Sequence, residues 1–120
     1  MALDKVELER RTKAFGVKVV RFAAALPRNR VSDTLGMQLL KSGTSVGANY
    51  REANRAQSRS DFIHKIALVE KEAAETQYWL ELFEDAKIGG PEDRQWLLRE
   101  SDALLAIFTS IGKSTKTRRG

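Results

Sequence analysis

The chain has no cysteine, only two prolines and a single histidine among its 120 residues, and aromatic residues make up 8%. The lack of cysteine excludes disulfides, thiolate catalysis and cysteine metal ligands. Few prolines and few aromatics favour helices over sheets. No apolar run approaches the length of a membrane span, and the first ten residues carry charges where a signal peptide would be apolar. We therefore expect a cytoplasmic protein with no membrane association.

The remaining composition, 42% hydrophobic and 31% charged, is that of one soluble domain. Breaks in the apolar pattern fall at Pro27, in the polar interval 54–58 and at Gly89-Gly90-Pro91. We predict helices over about Leu3–Leu26, Asp33–Asn54, Ser60–Lys87 and Pro91–Ile111. Ser32 or Asp33 would cap the second helix, and Ser58 or Ser60 the third. The fold class is therefore all-α, an antiparallel up-down-up-down four-helix bundle over residues 1–112, followed by a basic, disordered tail over 113–120.

Apolar residues outside the four core faces predict self-association. Helix one carries a second stripe (Val6, Val17, Val20 and Ala24), and helix three is widened by Leu68, Trp79, Leu82 and Ala86. Exposed apolar patches of this kind usually mark interfaces. Gly36, Gly43 and Gly47 share one side of helix two, which indicates either a closely approaching helix or a merely tolerated flexible one.

Six polar residues lie at or beside core positions of helices two and three: Ser42, Ser45, Asn49, Glu52, Glu72 and Glu75. Buried polar groups need partners, so the pattern predicts a hydrogen-bonded network. Such a network could serve as an acid–base site, or it could fix helix register or a subunit contact. The structural interpretation is the one we adopt.

No catalytic, metal or nucleotide signature stands up to inspection. Asp61 and His64 have the spacing of a metal-binding pair, but one histidine cannot supply a di-iron set, so a capping Asp61 is expected instead. Gly43-Thr-Ser-Val-Gly47 lacks the lysine and the preceding strand of a phosphate loop. We therefore expect no enzyme, no cofactor and no metal.

The net charge of +5 is unevenly distributed. Residues 1–30 hold eight Lys/Arg against three Asp/Glu, whereas residues 61–90 hold three against seven. The candidate phosphate contacts are Arg10, Arg11, Lys18, Arg21 and Arg28 on helix one and Lys116, Arg118 and Arg119 in the tail. A basic surface favours RNA or DNA as a partner, although a solvated face would look the same. No aromatic residue interleaves with these cations on the helix surface, so base stacking on this surface is not predicted.

Two motifs carry a resemblance to a known family. They are Ser42-x-x-Ser45-Val46-x-x-Asn49-x-x-Glu52 and Asp61-Phe62-Ile63-x-x-Ile66, with Glu75 a little later. From about Phe15 to Phe108 the chain resembles the four-helix bundle protein family, also called the 23S ribosomal RNA intervening-sequence protein or S23-like family. It departs from the general pattern at Ala53, where glycine is usual, and at Glu72, where serine is common.

The resemblance implies a left-handed bundle assembling as a ring-shaped homopentamer. Similar accessory proteins of diversity-generating retroelements use a basic ring to engage nucleic acid and a reverse transcriptase. By this resemblance we expect a non-enzymatic oligomer that binds RNA or DNA with low specificity, or, as the alternative, a protein-interaction scaffold without nucleic-acid affinity.

Overall fold

The structure is a computed structural model that describes residues 4–117, and every regular element in that range is an α-helix. Helices α1 to α4 span Lys5–Ala24, Arg30–Ala53, Arg59–Ala86 and Pro91–Thr117. The connections at 25–29, 54–58 and 87–90 are too short for anything but antiparallel neighbours. The predicted all-α bundle of four helices is therefore confirmed. None of the described helices combines the length and the apolar character that a membrane crossing requires.

The start of α2 differs from the sequence prediction. Asn29, rather than Ser32 or Asp33, is the N-cap, and its side chain accepts a hydrogen bond from the Ser32 backbone N–H at 2.9 Å. Pro27 fixes its own φ and restricts the residue before it, but it does not restrict the residues that follow, so a helix can begin three residues later. Ser32 is buried in the first turn. The α3 cap is Ser58, one of the two predicted candidates.

Helix α4 runs past its predicted end at Ile111 and continues to Thr117. Residues 113–117 are thus helical and not the disordered tail that the sequence predicted, while 118–120 lie outside the described residues. The last turns are held because Arg59 donates a hydrogen bond to the Thr115 carbonyl at 3.0 Å. A single glycine at 112, with no proline after it, does not stop the helix.

The core forms from one face of each helix, as the apolar period predicted. Its largest fully buried side chains are Phe15, Phe83 and Phe108. The Phe22 and Phe83 rings meet edge to face at 5.4 Å between centroids, which joins α1 to α3 across the bundle. Four buried hydroxyls donate to carbonyls of their own helices, those of Thr12, Ser42, Thr76 and Ser101.

The glycines of α2 allow α1 to approach closely. A Cβ at position 43 would lie 2.9 Å from Val19 Cγ2, and one at position 47 would lie 3.2 Å from Thr12 Oγ1. Of the two interpretations drawn from the sequence, close approach is therefore correct, and the approaching helix is α1 of the same chain. Gly16 differs, because a Cβ there would meet nothing within 4 Å.

Gly43 and Gly16 lie in different environments, so replacing each with alanine should have opposite effects on stability. Gly43→Ala should lower the free energy of unfolding by about 0.5–2 kcal/mol, because overpacking against Val19 outweighs the gain in helix propensity. Gly16→Ala should raise it by about 0.5–1 kcal/mol through helix propensity alone. Urea unfolding with matched m-values would measure both. Shifts of equal sign would contradict the close packing of α1 on α2.

Candidate functional site

The basic residues predicted for helix one fall into two groups, of which the first is exposed. Arg28 belongs to this group but lies in the connection between α1 and α2, because α1 ends at Ala24. Arg10 forms an ion pair with Glu7, and Arg28 lies 3.7 Å from Asp33, with arginine side chains 69% and 90% exposed. Arg21 is exposed, and its side chain makes no hydrogen bond or ion pair within residues 4–116. Surface ion pairs contribute about 0–1 kcal/mol, so an incoming phosphate can displace these carboxylates.

The second group is Arg11 and Lys18, which join α1 to α4. Arg11 donates two hydrogen bonds, of 2.7 and 2.9 Å, to the Glu100 carboxylate. This contact raises the pKa of the Arg11 guanidinium. Lys18 lies 3.1 Å from Asp93. Both cations were predicted as phosphate contacts. The structure engages them in inter-helix ion pairs, so they are less available to a ligand than Arg10, Arg21 and Arg28.

Lys18 also brings an aromatic residue to the basic surface. Its Nζ lies 5.4 Å from the centre of the Trp96 ring, and Trp96 is 37% exposed. The expectation that no aromatic accompanies the basic residues is therefore wrong, because two residues distant in sequence become neighbours only when α4 packs on α1. Among the tail residues, Lys116 is exposed on α4, and Arg118 and Arg119 lie outside the described residues.

The predicted polar network does not form within one chain. Ser42 donates to the Leu39 carbonyl at 3.4 Å, and Ser45 to the Lys41 carbonyl at 2.6 Å. The other four members are Asn49, Glu52, Glu72 and Glu75, whose side chains make no hydrogen bond or ion pair within residues 4–116. The hydroxyls find acceptors in their own helix, and the others reach water because they are exposed or half-buried.

The proposed capping role of Asp61 agrees with the structure. Its carboxylate accepts from the Gln57 backbone N–H at 3.2 Å and from Lys65 at 3.2 Å, and the Gln57 contact is the larger cause of its lowered pKa. His64 is exposed. Among the described residues, no group of three or more His, Cys, Asp or Glu is placed to hold a metal ion.

Sequence reasoning missed an ion pair at the α3–α4 connection, between the buried Arg94 and the half-buried Glu84. Arg94 is 5% exposed; its Nε lies 2.9 Å from Glu84 Oε1, and it also donates to the Gly89 carbonyl at 2.5 Å. The hydrogen bond from Arg94 is the main cause of the lowered pKa of Glu84. Arg94 thus fixes the turn in which Lys87 and Gly89 adopt positive φ. Ten residues and a glycine turn separate the partners, so no helical spacing signals the pair.

A groove of about 900 Å³ runs between α1 and α2 on the outside of the bundle. We call it the α1–α2 groove. Its small and apolar lining residues are Gly16, Val17, Val20, Thr44, Gly47 and Ala48. Its basic lining residues are Lys5, Lys13, Arg21, Arg51 and Arg55, and its acidic ones are Glu9 and Glu52.

A second surface follows the outside of α3. Leu68, Glu72, Glu75, Trp79 and Leu82 recur at intervals of four and three residues, which places them on one line along the helix. We call this line the α3 stripe. Leu68 is 39% exposed, and the neighbouring Tyr78 is 53% exposed. The buried Trp79 Nε1 has no hydrogen-bond acceptor within the described residues.

Residues 4–117 thus form an all-α four-helix bundle with charged outer surfaces. The chain belongs to the 23S rRNA-intervening sequence protein family, whose model matches residues 4–110. It is similar to a crystal structure of a protein of unknown function from the S23 ribosomal protein family of Bacteroides thetaiotaomicron. The two are 35% identical with a TM-score of 0.83, and the match covers 92% of this chain and 99% of that one. No curated protein sequence matches the chain significantly.

The Glu84–Arg94 pair predicts a specific loss of stability in acid. Because the folded-state pKa of Glu84 is lowered, its contribution is complete above the unfolded pKa of about 4.3 and disappears as the pH falls through the folded value. The melting temperature should therefore fall as the pH drops below about 5, and fall less in Glu84→Gln. Circular dichroism melts would measure this. Asp85→Asn, at an exposed carboxylate of the same turn, is the control and should keep the wild-type pH profile.

Proposed function

We propose that the chain is a non-enzymatic protein that assembles into a homo-oligomer and binds RNA or DNA weakly, with little sequence preference. The observation that carries this proposal is the exposure of three arginines: Arg10 and Arg21, which share one face of α1, and Arg28 in the connection between α1 and α2. Guanidinium groups in such a position can neutralise phosphates without reading bases. The absence of bonds among the six polar residues within one described chain supports a binding role over acid–base chemistry.

The distribution of charge supports binding on one side only. Residues 5–53, which contain α1 and α2, hold ten Lys/Arg against four Asp/Glu, whereas α3 holds three against seven. A polyanion would therefore be attracted to α1 and repelled by α3. Trp96, beside Lys18, adds one exposed ring on which an unpaired base can stack.

Oligomerisation would strengthen a weak site by repeating it. Val6, Val17 and Val20 on α1 are 73%, 44% and 46% exposed, which is more apolar surface than a bundle helix normally leaves in water. The assembly that we propose is the ring-shaped homopentamer of similar proteins. Linked copies of a modest basic patch gain avidity without any new contact.

A second candidate function is a scaffold that binds a protein, such as a reverse transcriptase, and no nucleic acid. The apolar lining of the α1–α2 groove favours it, because phosphate backbones need cations but no apolar surface. The two candidates differ in their dependence on salt, since phosphate contacts release counterions.

Binding of labelled single- and double-stranded RNA and DNA, measured by fluorescence anisotropy, would test the first candidate. Wild-type affinity should fall steeply between roughly 50 and 200 mM salt. The triple substitution Arg10→Gln, Arg21→Gln and Arg28→Gln should weaken binding and reduce the slope of log K against log salt by about 2–3 per bound chain.

The matched control is Lys41→Gln, Lys71→Gln and Arg99→Gln, which removes the same charge from exposed positions on the other three helices. It should bind nearly as the wild type does. An equal loss in both triple variants would mean that net charge alone drives binding. No binding at low salt would leave the scaffold function as the conclusion.

A further inference from the structure

The α1–α2 groove needs an occupant that brings negative charge. Lys5, Lys13, Arg21 and Arg55 have no carboxylate partner within residues 4–116. Glu9 is already engaged, because it accepts from Asn54 at 2.8 Å and lies 3.9 Å from Arg51. That leaves the single carboxylate of Glu52 opposite these four cations in the described lining. The groove is therefore electrostatically incomplete on its own.

The occupant must also bring apolar surface. Val17 and Val20 are 44% and 46% exposed beside the small residues Gly16, Gly47 and Ala48. The space above Gly16 is open, since an added Cβ would contact nothing within 4 Å. A groove lined by small and branched apolar residues and flanked by cations fits an amphipathic helix with an acidic side.

The α3 stripe has this chemistry. Leu68, Trp79 and Leu82 supply apolar side chains, and Glu72 and Glu75 are carboxylates without a cation partner within residues 4–116. The stripe is only partly covered by its own chain: Leu68 is 39% exposed and Glu75 is exposed, whereas Glu72, Trp79 and Leu82 are half-buried. In one chain the stripe and the groove are separate outer surfaces, so the stripe can meet a groove only on another copy.

We propose that the α1–α2 groove of one chain receives the α3 stripe of a second copy, with Lys13 and Arg55 facing Glu72 and Glu75. This inference rests on the homo-oligomer of the proposed function and names the surfaces that form it. Because groove and stripe are different surfaces, the contact is head to tail and each chain uses both. Glu72 and Glu75 then contribute to a contact between subunits rather than to a hydrogen-bonded network within one chain.

Charge reversal on each surface tests the contact. The groove variant carries Lys13→Glu and Arg55→Glu, and the stripe variant carries Glu72→Lys and Glu75→Lys. In sedimentation velocity, wild type should be larger than the 13.5 kDa monomer and each variant alone should be monomeric. An equimolar mixture of the two should associate again, because every contact between unlike variants pairs either two native or two reversed surfaces. Strict alternation closes only rings with an even number of subunits, so the mixture should form open chains or even-numbered rings in place of a pentamer.

A steric test is independent of charge. Gly16→Trp fills the open space of the groove and should prevent assembly while the circular dichroism spectrum stays helical. Ala14→Trp, at an exposed position of α1 outside the groove lining, is the matched control and should assemble as wild type does. Lys41→Glu with Arg99→Glu controls for the change in net charge.

The outcomes separate this inference from the proposed function. Assembly of both charge variants and of Gly16→Trp would overturn the groove-to-stripe contact while leaving the oligomer in place. Monomeric variants whose mixture stays monomeric would also overturn it, since the two surfaces would then not meet each other. A monomeric wild type at micromolar concentration would overturn the oligomer itself. Nucleic-acid binding is measured separately and is decided by neither result.

Discussion

The close approach of α1 to α2 is the constraint on which the rest of the structure depends. Because Gly43 has no side chain, the Val19 methyl groups reach the α2 backbone, and α1 packs directly against α2. The position of α1 then fixes the α1–α2 groove on one side and the Arg11–Glu100 and Lys18–Asp93 pairs on the other. A bulkier α2 would move α1 outward and change both surfaces at once.

The sequence predicts the helices and the core because both depend on local period, and Phe15, Leu39 and Phe83 are buried as that period requires. It does not predict contacts made by packing. Arg11 and Glu100 are 89 residues apart, and no spacing rule links them. The hydrogen-bonded network predicted among the six polar residues does not form within the chain, for a different reason. The helical period places these residues at or beside the core, but Ser45 donates to a carbonyl of its own helix and Glu75 reaches solvent.

Helix α1 presents a different set of residues on each of its three sides, and each side has a different role. Its core side packs, its α4 side forms ion pairs, and its outer side exposes Arg10 and Arg21. Arg21 also lines the groove, so it lies at the border between the proposed phosphate surface and the proposed subunit contact. Assembly and nucleic-acid binding would then be coupled through this one residue, each changing the apparent affinity of the other.

The two tryptophans give the molecule a built-in optical signal. Trp79 has an indole N–H that is buried and without an acceptor, whereas Trp96 is partly exposed beneath an ammonium group. Indole emission moves to shorter wavelength in an apolar, unbonded environment, so the two rings should emit at different wavelengths. The emission at shorter wavelength reports on the α3 stripe, and the emission at longer wavelength reports on the surface between α1 and α4. Docking on either face could thus be followed in solution without attaching a dye.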